Sequence, residues 1–265
     1  MRLNLSIAGQ AVPLRCFTFP GGEVQVRIEG PPGPADAVTI RADLVDSATL
    51  MALLLLTDAV RRHYVDPAID LVCPYLPYAR QDRVAFPGEA LSAAVACRLL
   101  NVQHYRSVEV WDAHSDVSLA LLDRVRHRPA SDFAVPVITA RDVVVAPDLG
   151  AVKRAAACAR LAGVPLVQAE KTRSTDTGAI TGSAVHGGPI GDRDFLIVDD
   201  ICDGGRTFIE LATKLRPLTT GQVKLYVTHG IFSAGFAALA GGIDRIFVAN
   251  PFPTELPDFV QTVKS

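Results

Sequence analysis

The sequence predicts an α/β fold with mainly parallel strands, arranged as two similar halves, and three observations carry that expectation. Short apolar runs rich in β-branched residues alternate with stretches of helical periodicity. The alternation begins afresh beyond "RHRPASDFAVPV" (Arg126–Val137), which places one domain over 1–130 and a second over 131–265. Polar clusters fall at or just past the ends of the expected strands, the edge where open parallel sheets bind ligands.

In the first half, "AVTIRADL" (Ala37–Leu44) reads as a strand, and Ser47 to His63 reads as a helix with Ser47 as its N-cap. "AIDLVCPYLPY" is a strand running into a loop, "EALSAAVACRLLN" a helix, and "SVEVWDAHSD" a strand ending in polar groups. In the second half, "DVVVAPD" is a strand, Lys153 to Leu161 a helix, and "PLVQAEK" and "FLIVDD" are strands. Arg206 to Leu215 is a helix, "VKLYVTHG" a strand, "SAGFAALAG" a short helix and "RIFVANPF" the last strand.

Composition narrows the class. Hydrophobic residues make up 49%, enough for buried cores, and the net charge of -2 gives no general attraction to nucleic acid or an anionic membrane. The arginines at 124, 126 and 128 read as a solvated face. Five cysteines are dispersed without a C-x-x-C pair, which suits free thiols in a reducing compartment. The N-terminus lacks the apolar core of a signal peptide, and the most apolar run, Leu50–Leu56, falls short of the ~20 residues a membrane helix needs. A soluble, cytoplasmic protein is expected.

The chemistry gathers in "FLIVDDICDGGRT" (Phe195–Thr207), a strand-to-helix turn. Gly204 and Gly205 allow close backbone approach to a ligand. The helix beyond them offers free N–H groups and a positive dipole end, which favour a phosphate. Thr207 can add a hydroxyl donor. Asp199 and Asp200 would repel a phosphate, but they can accept hydrogen bonds from vicinal ribose hydroxyls or help hold a hydrated cation. The stretch reads as a ribose-phosphate cradle formed by Asp199, Asp200, Asp203, Gly204, Gly205, Arg206 and Thr207. The other polar clusters are Arg80–Gln81–Asp82, Asp112 with His114, Asp148, Lys171 with Arg173, and Thr228–His229.

This turn resembles the PRPP-binding loop of the type I phosphoribosyltransferase superfamily, which usually has threonine at the place of Gly204 and glycine at that of Arg206. "PYLPYARQDR", "WDAHSD", "VVVAPDLGAVKRA", "EKTRS" and "THGIFS" follow the order found in ribose-phosphate diphosphokinases, also called PRPP synthetases, and "FPGGEVQVRI" is similar to that family's early nucleotide-binding segment. The resemblance implies two phosphoribosyltransferase-like domains and transfer of the ATP diphosphoryl group to the anomeric hydroxyl of ribose 5-phosphate, with Mg²⁺ as cofactor. It implies Lys171 and Arg173 as catalytic cations. Arg80, Gln81, Phe19 and Glu23 would bind ATP, and His114 would act on the ATP-phosphate or metal side, with Asp148 a second metal-linked position. A homo-oligomer acting on small molecules, with no nucleic acid or membrane partner, is the corresponding expectation.

Departures from the pattern open alternatives. Gly21 stands where the family usually has an adenine-reading aspartate, and both terminal segments look short. "RQDRV", "PGEALS" and "DAHSD" resemble a divergent branch found alongside nicotinamide-salvage enzymes, some of which pyrophosphorylate ADP-ribose. Arg206 would then meet the second phosphate of that acceptor. A PRPP-using phosphoribosyltransferase and a non-catalytic associated subunit are the remaining readings.

Overall fold

The structure, a computed structural model, describes residues 2–173, 180–185 and 189–264. It divides into two compact units, Met1–Arg128 and Pro129–Ser265.

The first unit opens with β1 (Leu3–Ile7), β2 (Gln10–Val12), β3 (Leu14–Thr18), β4 (Val24–Ile28), β5 (Gly33–Pro34) and β6 (Ala37–Ala42). It continues with α1 (Ser47–His63), β7 (Tyr64–Val65), β8 (Ala68–Val72), α2 (Ser92–Asn101), β9 (Ser107–Trp111), α3 (Asp116–Ala120) and β10 (Val125–Arg128). Its main sheet has the order β10-β9-β8-β6-β1-β2. From β10 to β6 the pairings are parallel, and β1 joins β6 and β2 antiparallel. Strands β3 and β4 form a separate antiparallel hairpin, with β4 lying against α1. The strands before β6 were not foreseen: they are short and punctuated by glycine and proline, so no long apolar period marks them.

In this unit two helix starts differ from expectation, and in the other the short helix expected from Ser233 begins at Ala237. Helix α1 is capped by Asp46, whose Oδ1 accepts from the Thr49 amide at 2.7 Å, so Ser47 is its first helical residue. Helix α2 begins at Ser92 rather than Glu89, because the Glu89 carboxylate accepts from the Ala85 and Phe86 amides at 2.9 and 3.1 Å and closes the preceding loop.

The second unit comprises α4 (Ser131–Ala134), β11 (Asp142–Ala146), α5 (Val152–Ala162), β12 (Leu166–Arg173), β13 (Ile180–Val185) and β14 (Asp194–Cys202), followed by α6 (Arg206–Leu215), β15 (Val223–Gly230), α7 (Ala237–Ala240), β16 (Arg245–Pro251) and β17 (Val260–Thr262). The sheet order is β13-β12-β11-β14-β15-β16-β17, and β12–β13 is its antiparallel pair. Every residue of β11 and β15 is buried, as expected of central parallel strands covered on both faces.

At the starting edge of this sheet, buried Lys224 places Nζ 2.6 Å from Asp142 Oδ1 and 3.1 Å from Asp194 Oδ2. The Thr139 amide and hydroxyl donate to the other Asp142 oxygen, and the Gln222 amide donates to Asp194. The ions are thus compensated where the strands begin, and the opposite edge is left for ligands. All five cysteines are free thiols. Among the described residues no helix is long and apolar enough to cross a membrane.

Candidate active site

Strand β14 carries the acidic pair two residues before its end at Cys202. The Asp200 amide donates to Asp199 Oδ1 at 2.9 Å, which turns that carboxylate back onto the chain. Arg154, in the first turn of α5, reaches both acids: Nη1 lies 3.5 Å from Asp199 Oδ1 and Nη2 lies 3.7 Å from Asp200 Oδ2. Burial, followed by the charge of Asp200, raises the Asp199 carboxyl well above the ordinary carboxylate range, and Arg154 opposes that rise.

The cradle follows directly. Gly205 adopts φ +80° at the N-cap of α6, and no side chain caps that helix. A Cβ at Gly205 would come within 2.8 Å of Leu239 Cδ2, whereas one at Gly204 would make only ordinary contact, 3.9 Å from Ser233 Oγ. The two glycines therefore differ. Gly205 is required by its left-handed backbone and close packing, and Gly204 leaves room. The turn after β15 braces the loop: the Ile231 and Phe232 amides donate to the Cys202 carbonyl at 2.8 and 3.1 Å, and Ser233 Oγ donates to Asp203 Oδ1 at 2.6 Å. Asp203 is thus tied to the bracing turn, and Thr207 lies one residue inside α6. Arg206 is 90% exposed and its Nε donates to Glu210 Oε1 at 2.6 Å, one helical turn along.

Asp148 lies just past β11, the parallel neighbour of β14. Its Oδ1 accepts from the Ala151 amide at 3.1 Å and so starts the 3-10 turn that leads into α5. Lys171 and Arg173 fall on β12, in register with Ser183 and Ile180 of β13. Their side chains, the part on which the catalytic expectation falls, lie outside the described residues.

The first unit carries the nucleotide-side candidates. Arg80 and Gln81 follow β8, and His114 follows β9, its parallel neighbour. Tyr78 has φ +63°, and its hydroxyl lies 2.8 Å from Ser47 Oγ. The Gln81 carbonyl accepts from the Ala93 amide at 3.2 Å, which ties this loop to α2. Asp112 has φ +39°, and the next amide, of Ala113, donates to His127 Nε2 at 3.2 Å. Phe19 and Glu23 occupy the exposed turn of the β3–β4 hairpin, closed by the Phe19 amide donating to the Glu23 carbonyl at 2.8 Å. Of the metal-linked pair, His114 belongs to the first unit and Asp148 to the second.

Two contributors escaped the sequence reading, Arg154 and the brace at Ser233. "VKRAA" reads as any basic helix start, and nothing local links position 154 to an acid pair 45 residues later. The one available signal was a cation placed against the positive end of a helix.

A family model described as the N-terminal domain of ribose phosphate pyrophosphokinase matches residues 4–103, and a phosphoribosyl transferase domain model matches residues 137–234. A ribose-phosphate pyrophosphokinase of Thermococcus kodakarensis is 32% identical over 253 residues, covering 89% of this chain and 84% of the relative. The chain belongs to the ribose-phosphate pyrophosphokinase family. Another member, from Pyrococcus furiosus, is 31% identical over 89% of this chain and 85% of its own. Among solved structures, the phosphoribosylpyrophosphate synthetase of Mycobacterium smegmatis matches this pyrophosphokinase-family chain with a TM-score of 0.79 and 28% identity, over 96% of this chain and 86% of that one. The two-domain α/β fold with mainly parallel sheets is therefore that of PRPP synthetase.

Proposed function

We propose that the protein transfers the diphosphoryl group of ATP to the anomeric hydroxyl of ribose 5-phosphate, giving PRPP and AMP. The observation that carries this reading is the uncapped start of α6 behind Gly205, set directly after the Asp199–Asp200 pair in a chain of this family. The N–H groups there suit the 5-phosphate, and the carboxylates suit the ribose hydroxyls. The first unit would supply the ATP side through Arg80, Gln81, His114, Phe19 and Glu23, and the second unit the acceptor.

In the reaction the anomeric oxygen forms a bond to the β-phosphorus as its proton leaves, and the bond from that phosphorus to the α-phosphate oxygen breaks. AMP departs. Holding the hydroxyl in line is the task of the cradle, because a near-attack placement removes much of the entropic barrier. Lys171 and Arg173 would meet the charge that grows on the transferring group. Among the described residues no group of three or more His, Cys, Asp or Glu could hold a metal ion. Mg²⁺ held mainly by phosphate oxygens and water needs only one or two protein groups, and either Asp148 of the second unit or His114 of the first is a candidate. Bound there, Mg²⁺ would spread the triphosphate charge. The setting we infer is a cytoplasmic homo-oligomer working on small molecules.

Arg206 supports a second acceptor. Held by Glu210 outside the turn, it could meet a further phosphate of ADP-ribose, as in NAD salvage. The protein should be incubated with Mg-ATP and either ribose 5-phosphate or ADP-ribose, and AMP and product followed by chromatography. AMP with PRPP is the expected result. A much higher kcat/KM for ADP-ribose would reassign the acceptor, and no AMP with either would point to the associated-subunit reading.

A further inference from the structure

Successive side chains on a strand point to opposite faces, so neighbouring acids do not ordinarily share one cation. Near the end of β14 they do, because α5 delivers a guanidinium within reach of both. Arg154 is the third residue of α5, and that helix is launched by the turn Asp148 caps. The side chain is 12% exposed, against 17% for Asp199 and 8% for Asp200. A cation in the first turn of a helix opposes the helix dipole, so this position is unfavourable unless something else compensates it. The paired acids do so.

The distances add a second point. At 3.5 and 3.7 Å the contacts are longer than the ~2.8 Å of a charge-assisted hydrogen bond, so Arg154 balances the acids without the tight two-point grip of a bidentate pair. The approaches at these distances are to Asp199 Oδ1 and Asp200 Oδ2, and the Asp200 amide donates to the same Asp199 oxygen. An ionised carboxylate offers about four acceptor positions, more than one guanidinium contact occupies. Without the cation, burial and mutual repulsion would act on the pair unopposed.

We infer that Arg154 is the positioning residue of the ribose site, holding Asp199 and Asp200 together as one fixed acceptor pair for the ribose hydroxyls. The inference rests on the ribose 5-phosphate reading above. It separates the roles in the second unit: the loop binds phosphate, the acids bind ribose, and α5 sets the acids.

The test compares Arg154→Gln, which keeps donors but loses the charge, with Arg154→Lys, which keeps the charge but loses the fork. Steady-state constants are measured for both substrates, and ribose 5-phosphate binding is measured by calorimetry. Arg154→Gln should raise the KM and Kd for ribose 5-phosphate about thirty-fold or more, the scale of leaving buried charges without a partner. The KM for ATP should stay within about twofold, and Arg154→Lys should recover only part of the loss, leaving the ribose 5-phosphate KM several-fold above that of the wild type. Unchanged constants, or equal rises for both substrates with a lowered thermal midpoint, would overturn the assignment and leave a merely structural arginine. If Arg154→Gln does not fold, Arg154→Lys decides alone: a ribose 5-phosphate KM raised selectively supports the role, and two KM values raised alike refute it. Wild-type protein that binds ribose 5-phosphate but releases no AMP would sink the proposed reaction and leave the role of Arg154 intact. Wild-type protein that does not bind it would sink both.

Discussion

A carboxylate buried beside another carboxylate works against the fold that holds it, and Asp199 is in that position. Its pKa is raised by burial and then by Asp200. The folded protein therefore holds this proton more tightly than the unfolded chain does. The stability from that group is complete below the ordinary carboxylate pKa of ~4 and is lost as pH rises through the folded value. Asp199→Asn should accordingly raise the thermal midpoint at pH ~7, and the gain should fade on acidification toward pH ~4. The same variant should weaken ribose 5-phosphate by about ten- to a hundredfold, the worth of a hydrogen bond to a charged acceptor. A midpoint lowered at neutral pH would contradict this account. Individual residues were legible where their chemistry is local. The strand-to-helix turn that carries Asp199, Asp200 and the glycines is local, and the structure has it where the sequence predicts it. Asp46 and Ser47 are both good capping residues, and only the extended backbone of Asp46 separates them.

Among the elements, the β14–α6 connection shows what a motif conveys and what it conceals. An apolar run, a glycine pair and a helical period follow in order, which predicts a helix from Arg206, where the structure has it. In the sequence the two glycines look alike. Gly205→Ala should destabilise the protein by about 1–2 kcal/mol through its left-handed backbone and raise the KM for ribose 5-phosphate, whereas Gly204→Ala should change stability by less than ~1 kcal/mol. Chemical denaturation of both variants checks the contrast, and equal losses would refute it. Strand β15 conceals more. Nothing local in "VKLYVTHG" marks Lys224 as buried, yet it lies between Asp142 and Asp194, whose places at neighbouring strand starts no local pattern reveals.

At the scale of the whole molecule, the alternation of strands and helices made the α/β class legible, while the N-terminal strands, broken up by glycine and proline, and β13, a run of small and polar residues ("ITGSAV"), carry no clear apolar signal. Each unit has its own hydrophobic core, one drawn from Leu3 to Leu122 and the other from Val143 to Val260. A ligand confined to the cradle should therefore protect the second core. Ribose 5-phosphate at about 100 times its Kd adds about 2.7 kcal/mol to whatever opening it opposes. Hydrogen exchange should slow for amides of β11, β14 and β15 and stay unchanged for those of β6 and β8; slowing in both units would refute a ligand site confined to the second. The separation of the cores also bears on synthesis. Every residue of the first core is translated before the second begins, so the first unit can fold at the ribosome while the second is still being made.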